Sequence, residues 1–391
     1  IDGRNTADGG GYEAITLTNV DTTTSGAITI INHSNNIVAT DAQALGGADT
    51  DDVNLTTAGS GTVSLGAVSA ATDGDVTISS AGTIVDANAA ADDVVEVTGD
   101  VFTVSAATLI GASGAEIDFN ATTVNLTASG NMYLDTVGAG GVAITAAATG
   151  GDIVIDGRNT ADGGGYEAIT LTDVDTTTSG AITVTNYGNT ITATDVDTAG
   201  NSGDNVSITT ASTGGIVIAD INSGASGNTT LSAVGGTVTN AAVNSTAEVT
   251  ANTFTVSTSG AIGASGGNGA IDVSASTITL GTGSTITGGI YIDDIATGGT
   301  TAIGGITATS QALTLTSTQA LNITGAITTT GTASGATGGN AGAISISTTA
   351  GNITVGAAIK ADGGNATDAG ATDGDAADIS ITAGSTTRAT L

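Results

Sequence analysis

No cysteine, proline or tryptophan occurs in the 391 residues, and the chain holds only three phenylalanines and five tyrosines. Without cysteine there is no disulfide framework, so stability has to come from stacked backbone. Without large side chains a broad globular core cannot be filled, and any core must be narrow and repetitive. Cations are nearly as scarce. Arg4, Arg158, Lys360 and Arg388 stand against 37 acids, for a formal net charge of −33. Phosphate binding needs clustered cations that release counterions, so a nucleic-acid partner is not expected. The same deficit disfavours an anionic membrane surface. No run of apolar residues reaches the length of about 18 that a transmembrane helix needs. Helix signals are also missing, because no window places apolar residues at i, i+3, i+4 and i+7 behind an N-cap.

What is present is patterned. The apolar 39% is mostly Ala, Val, Ile and Leu, arranged in triplets of apolar, polar, apolar residues such as Ile15-Thr16-Leu17, Val63-Ser64-Leu65, Val76-Thr77-Ile78 and Val124-Asn125-Leu126. Each reads as a short, half-buried strand. Strand centres fall near Thr16, Ile28, Ile37, Val53, Val63, Val76, Val85, Val95 and Val104. Their mean spacing of about eleven residues predicts coils of about 22 with two strands each, within the range of solenoid repeats, or fewer coils with three strands each. Clusters such as Gly46-Gly47-Ala48-Asp49 and Thr72-Asp73-Gly74-Asp75 separate the strands, and their residues accept positive φ or cap their own backbone at corners.

A longer repeat overlies this period. Residues 1–40 return at 155–194 with 33 of 40 positions identical. Phe102-Thr103-Val104-Ser105 returns at Phe254-Thr255-Val256-Ser257, and Tyr133-Leu134-Asp135 as Tyr291-Ile292-Asp293. The chain divides into repeat unit 1–154, repeat unit 155–300 and a divergent section 301–391, expected to form one continuous all-β rod, a right-handed parallel β-solenoid. Gly151-Asp152-Ile153-Val154 supplies a strand start that Ile1 lacks, so the parent chain is expected to extend upstream.

Carboxylate pairs are the main candidates for chemistry: Asp51 with Asp52, Asp73 with Asp75, Asp92 with Asp93, Asp195 with Asp197, Asp293 with Asp294, and Asp373 with Asp375. As turn oxygens, Asp73, Asp75, Asp195, Asp197, Asp373 and Asp375 are the candidate calcium ligands, since Ca²⁺ takes about six to eight oxygens. The competing reading is that these aspartates cap turns and keep the chain soluble. An EF-hand pattern and the calcium-binding nonapeptide are both missing. Some parallel β-helices are polysaccharide lyases or hydrolases, but those sites pair carboxylates with cations or aromatics. The single histidine, His33, becomes Tyr187 in the second copy, so an enzyme is not expected. Arg4 and Arg158 recur within the phrase IDGRNT and read as turn ion-pair residues. Thr-x-Thr pairs such as Thr16 with Thr18 and Thr190 with Thr192 raise an ice-binding face, yet their sequence spacing is irregular.

The segment GGNAGAISISTTAGNITVGAAIKADGGNATDAGATDGDAADISITAG, residues 338–384, resembles the shafts of filamentous-haemagglutinin-like proteins and related giant bacterial surface adhesins. That resemblance implies a secreted right-handed β-helix at the bacterial cell surface, serving attachment or surface coating. Self-association into a fibre or coat is the expected partnership, with surface or glycan ligands as the alternative for an adhesin shaft.

Overall fold

The computed structural model describes residues 1–3, 13–33, 35–71, 73–88, 94–106, 108–138, 140–157, 167–241, 246–266, 269–281 and 285–384. Among them no residue is helical. The chain forms two compact units, the first holding residues 1–187 with 197–199, the second 188–196 with 200–391. Each is a β-solenoid of parallel, stacked strands.

In the first unit Ile28 pairs with Val53, Val53 with Val76, Val76 with Phe102, Phe102 with Val124, and Val124 with Ile144. Successive coils therefore advance by 20 to 26 residues, close to the expected 22. The strand count per coil follows the three-strand alternative. Strand Val63–Ala70 pairs through Val63 to Leu65 with Ile84–Asp86, and through Val68 and Ser69 with the separate strand Val97–Thr98. It thus turns a corner, and each coil has three straight segments instead of two. Gly66 sits at that corner, where a Cβ would lie 2.6 Å from the Thr40 carbonyl oxygen of the coil beneath. The predicted centre at Val95 is not a strand; Val95 is exposed and pairing begins at Val97.

Alternation decides what is inside. Along Val53–Thr57 and Val76–Ser80 the inward positions are Val53, Leu55, Val76 and Ile78, all fully buried. Each stacks on its equivalent one coil away. Burying such a side chain stabilises by about 1.5 to 3 kcal/mol, repeated coil after coil. The largest core residues of this unit, Phe102 and Phe119, meet with ring centroids 6.0 Å apart.

The second unit follows the same plan. Its coil from Val206 contains strands Val206–Thr210, Ile216–Ile218 and Ile221–Asn222. These pair with Asn228–Ala233, Val238–Asn240 and Val249–Thr258. Later coils lengthen, with Leu313 pairing to Ile344 and Ile344 to Ile379. The extra residues lie between strands, where insertion leaves the ladder intact.

Repeat-equivalent residues adopt equivalent geometry. Gly111 and Gly263 have φ of +66° and +64°, and a Cβ on either would strike the carbonyl oxygen of Tyr133 or Tyr291, so only glycine fits. Asn32 and Asn186 are both buried, and their side-chain amides donate to the carbonyls of Glu13 and Glu167. Asn32 opens an Asn-x-Ser sequon, and its burial places that amide out of reach of a glycan in the folded chain.

Candidate functional site

The corners of the coils carry most of the polar chemistry. In the first unit Asp52, Asp75 and Asp100 each precede a strand in successive coils. Asp75 N–H donates to Asp52 Oδ1 at 3.1 Å, the Asp75 carboxylate accepts from Val101 N–H, and Thr122 Oγ1 donates to Asp100 Oδ1 at 2.5 Å. Burial, reinforced by the charges of Asp52 and Asp100, pushes the Asp75 carboxyl above its usual range despite that N–H. The second unit builds the same ladder from amides, with Asn228 N–H donating to Asn205 Oδ1 at 2.9 Å and Asn252 Nδ2 reaching Asn228 Oδ1 at 3.5 Å.

Five of the six candidate calcium ligands lie outside strands, and the sixth, Asp197, lies on one. Asp73 is exposed beside Asp75; Asp195 is exposed, and its charge adds to the burial that raises Asp220; Asp197 is half-buried on a short strand. Asp373 accepts from Ala366 N–H at 2.8 Å, and Asp375 N–H donates to Asn340 Oδ1 at 2.9 Å. Among the described residues, no three His, Asp or Glu side chains gather in a way that could hold a metal ion. Asp92, Asp93, Arg4 and Arg158 lie outside the described residues. His33 Nε2 lies 2.9 Å from Asp2 Oδ1.

Two aspartates act as corner clamps. Asp51, fully buried, accepts from Gly26 N–H at 2.6 Å through Oδ1 and from Ala48 N–H at 2.8 Å through Oδ2. Its counterpart in the second copy, Asp204, accepts from Asn201 N–H at 2.9 Å. Asp51→Ala strands two donors and is expected to cost about 2 to 3 kcal/mol. Chemical denaturation of the variant checks this, and a midpoint within error of the wild type would contradict it. A related knot surrounds the buried Asp294, which accepts from Ser317 Oγ at 2.7 Å and Ala296 N–H at 3.2 Å, while Gln319 joins Thr301 to Gly299.

The sequence reading missed two further pairs. Glu96 and Asp118 in the first unit, and Glu248 and Asp272 in the second, occupy equivalent places and are all buried. Asp118 N–H donates to Glu96 Oε2 at 2.9 Å, and Asp272 N–H donates to Glu248 Oε2 at 2.5 Å. In the reverse direction the Glu96 and Glu248 amides donate to the Asp118 and Asp272 carbonyls. Burial is the main cause that lifts Glu96 to about 8, Glu248 to about 7 and Asp272 to about 6. The available signal was retention of Glu-Val-Thr at 96–98 and 248–250 while neighbouring positions changed.

Two open depressions lie among the described residues. One, of about 270 Å³, is lined by small residues with Thr250, Ser274, Ser276, Thr300 and Gln319; the other, of about 280 Å³, by Thr98, Asn120, Thr122 and Glu167 among glycines and alanines. Neither has an aromatic or cationic lining residue among those described, the groups a sugar-acid site would use. Some outward strand positions instead form uncharged hydroxyl columns, while Asp118, Asp135 and Asp156 stack in register in the first unit. In the second unit Ser207, Thr230, Thr255 and Thr279 align across four coils, beside Thr209, Ser232 and Ser257. Comparison with protein-family models, curated proteins and solved structures finds no match.

Proposed function

We propose that the chain is a structural, non-enzymatic segment of an extracellular fibre or coat at a bacterial surface. The observation that carries this reading is the stacking itself. In both units the inward positions repeat like on like from coil to coil, and the polar side chains at the corners are engaged in holding one coil to the next. The extracellular and bacterial setting rests on the resemblance of residues 338–384 to adhesin shafts.

Self-association is the partnership this reading requires. A chain of charge −33 repels its own copies wherever acids face outward, so lateral contact favours the uncharged hydroxyl columns. Electron microscopy of the native protein on its cells tests the role. Ordered filaments or sheets are the expected result. Isolated shafts that end in a distinct knob would overturn it in favour of an adhesin stalk.

A further inference from the structure

In the second unit an alcohol and a carboxamide meet in a buried corner. Gln319 Nε2 donates to Thr301 Oγ1 at 2.7 Å, and Gln319 Oε1 accepts from Gly299 N–H at 2.7 Å. A backbone N–H can only donate, so the second bond fixes which end of the amide faces Thr301. The Thr301 hydroxyl donates to the Ala275 carbonyl at 3.3 Å, which leaves a lone pair of its oxygen directed at Gln319. Thr301 is fully buried and Gln319 nearly so. Gln319 Cδ is one C–N bond beyond Nε2, so it lies at most about 4 Å from Thr301 Oγ1, a small movement from the reactive range of about 3 to 3.5 Å.

The rest of the corner suits attack on that carbon. Gly299 N–H already holds the oxygen on which negative charge develops when a tetrahedral centre forms. Asp294, fully buried, accepts from Ser317 Oγ at 2.7 Å, and Ser317 Oγ accepts from Gln319 N–H at 3.1 Å. Burial holds the Asp294 carboxyl above its usual range, as befits a group that passes a proton on.

We propose that Thr301 and Gln319 close an intramolecular ester with loss of ammonia. Thr301 Oγ1 bonds to Gln319 Cδ, the bond from Cδ to Nε2 breaks, and the hydroxyl proton goes to the departing nitrogen with Asp294 as the relay. One alcohol and one primary amide become one ester and one ammonia, with no oxidant, reductant or cofactor. The open depression lined by Gly299, Thr300 and Gln319 gives the ammonia its way out. Thr301 pairs in register with Leu321, two residues beyond Gln319, so the ester ties one coil to the next in a chain without cysteine.

The first copy lacks this chemistry. Ile144 pairs with Val124 and Leu171 as Ile303 pairs with Ile278 and Ile323, which sets Val142 and Glu167 in the places of Thr301 and Gln319. Val142 has no hydroxyl, so that corner stays open.

Intact-mass spectrometry of the full chain, folded and held at neutral pH, tests the ester. The wild type and Thr301→Ser are expected to be lighter than their sequence masses by one ammonia, and Thr301→Val, which copies Val142, to keep its full mass. Cleavage between the two sites, at Leu313 or Leu315, should leave the wild-type peptides carrying Thr301 and Gln319 joined until hydroxylamine parts them. That step separates the ester from ammonia lost by ring closure at an asparagine. Asp294→Asn should slow the loss at least about tenfold, and an unchanged rate would remove Asp294 from the relay. A wild type at full sequence mass overturns the ester, as do wild-type peptides that separate on cleavage alone.

Discussion

Phe102→Ala is expected to be the most damaging single truncation in the first unit, at about 3 to 5 kcal/mol. Phe102 is fully buried, stacks between Val76 and Val124 in the coils on either side, and packs its ring against Phe119. The repeat supplies an internal control. Phe254 is its counterpart and equally buried, but the position matching Phe119 is Val273, so Phe254 has no ring partner there. Phe254→Ala should therefore cost less, by about the 0.5 to 1.5 kcal/mol of an aromatic pair beyond its area. Because coils contact chiefly their neighbours, the loss should be local. Amide exchange would show it first in Val76–Ser80 and Thr123–Ala128. Equal costs for the two variants, or exchange accelerated evenly along the unit, would argue against stacking as the source of stability.

Stability is expected to fall as pH rises from 5 to 9, the reverse of the usual acid denaturation. Glu96 is raised from an ordinary value of 4.5 to about 8 in the folded chain. The folded state therefore binds more protons than the unfolded state between those values, and the slope of unfolding free energy with pH is negative there. The contribution is fully present below about pH 4.5 and is lost as pH passes through the folded value. At about 1.4 kcal/mol per unit, the Glu96 corner alone should lose on the order of 4 kcal/mol between pH 5 and pH 9. Glu248 and Asp272 act in the same direction over lower windows, since they are raised to about 7 and about 6. General repulsion among 37 acids has the same sign, but salt screens it, whereas a buried pair is screened much less. Denaturation midpoints in molar salt should therefore keep most of the slope in the wild type and lose the Glu96 share in Glu96→Gln. A midpoint that rises with pH would contradict the assignment.

Much of this architecture is legible in the sequence because strand alternation and corner chemistry are local. Ile28–Asn32, Val53–Thr57 and Val76–Ser80 announce themselves as apolar-polar alternations between turn residues. The third strand of each coil does not. In Val63–Ala70 the corner is only Gly66 and Ala67, so two segments look like one, and partners such as Val97–Thr98 are too short to show a period. The outward hydroxyl columns were hidden for a related reason. Thr230, Thr255 and Thr279 align in space although the coils between them differ in length. The buried acids were the hardest to see. Asp51, Glu96 and Glu248 resemble any other acid in a chain with 37 of them, and their burial follows from which corner they close.

In-register parallel stacking is the claim on which the rest depends, and engineered disulfides test it most directly. The chain contains no cysteine, so every cross-link reports the introduced pair. Thr77 and Thr103 are register partners on adjacent coils, with side chains on the same outward face. Neighbouring strands lie about 4.8 Å apart, within the Cα range of a disulfide. Shifting one partner by two residues, to Thr77 with Ser105, takes the pair beyond it. Oxidation should therefore close the Thr77→Cys, Thr103→Cys pair rapidly and leave the Thr77→Cys, Ser105→Cys pair reduced. Equal cross-linking of both pairs, or closure of the shifted pair alone, would contradict the parallel, in-register coil.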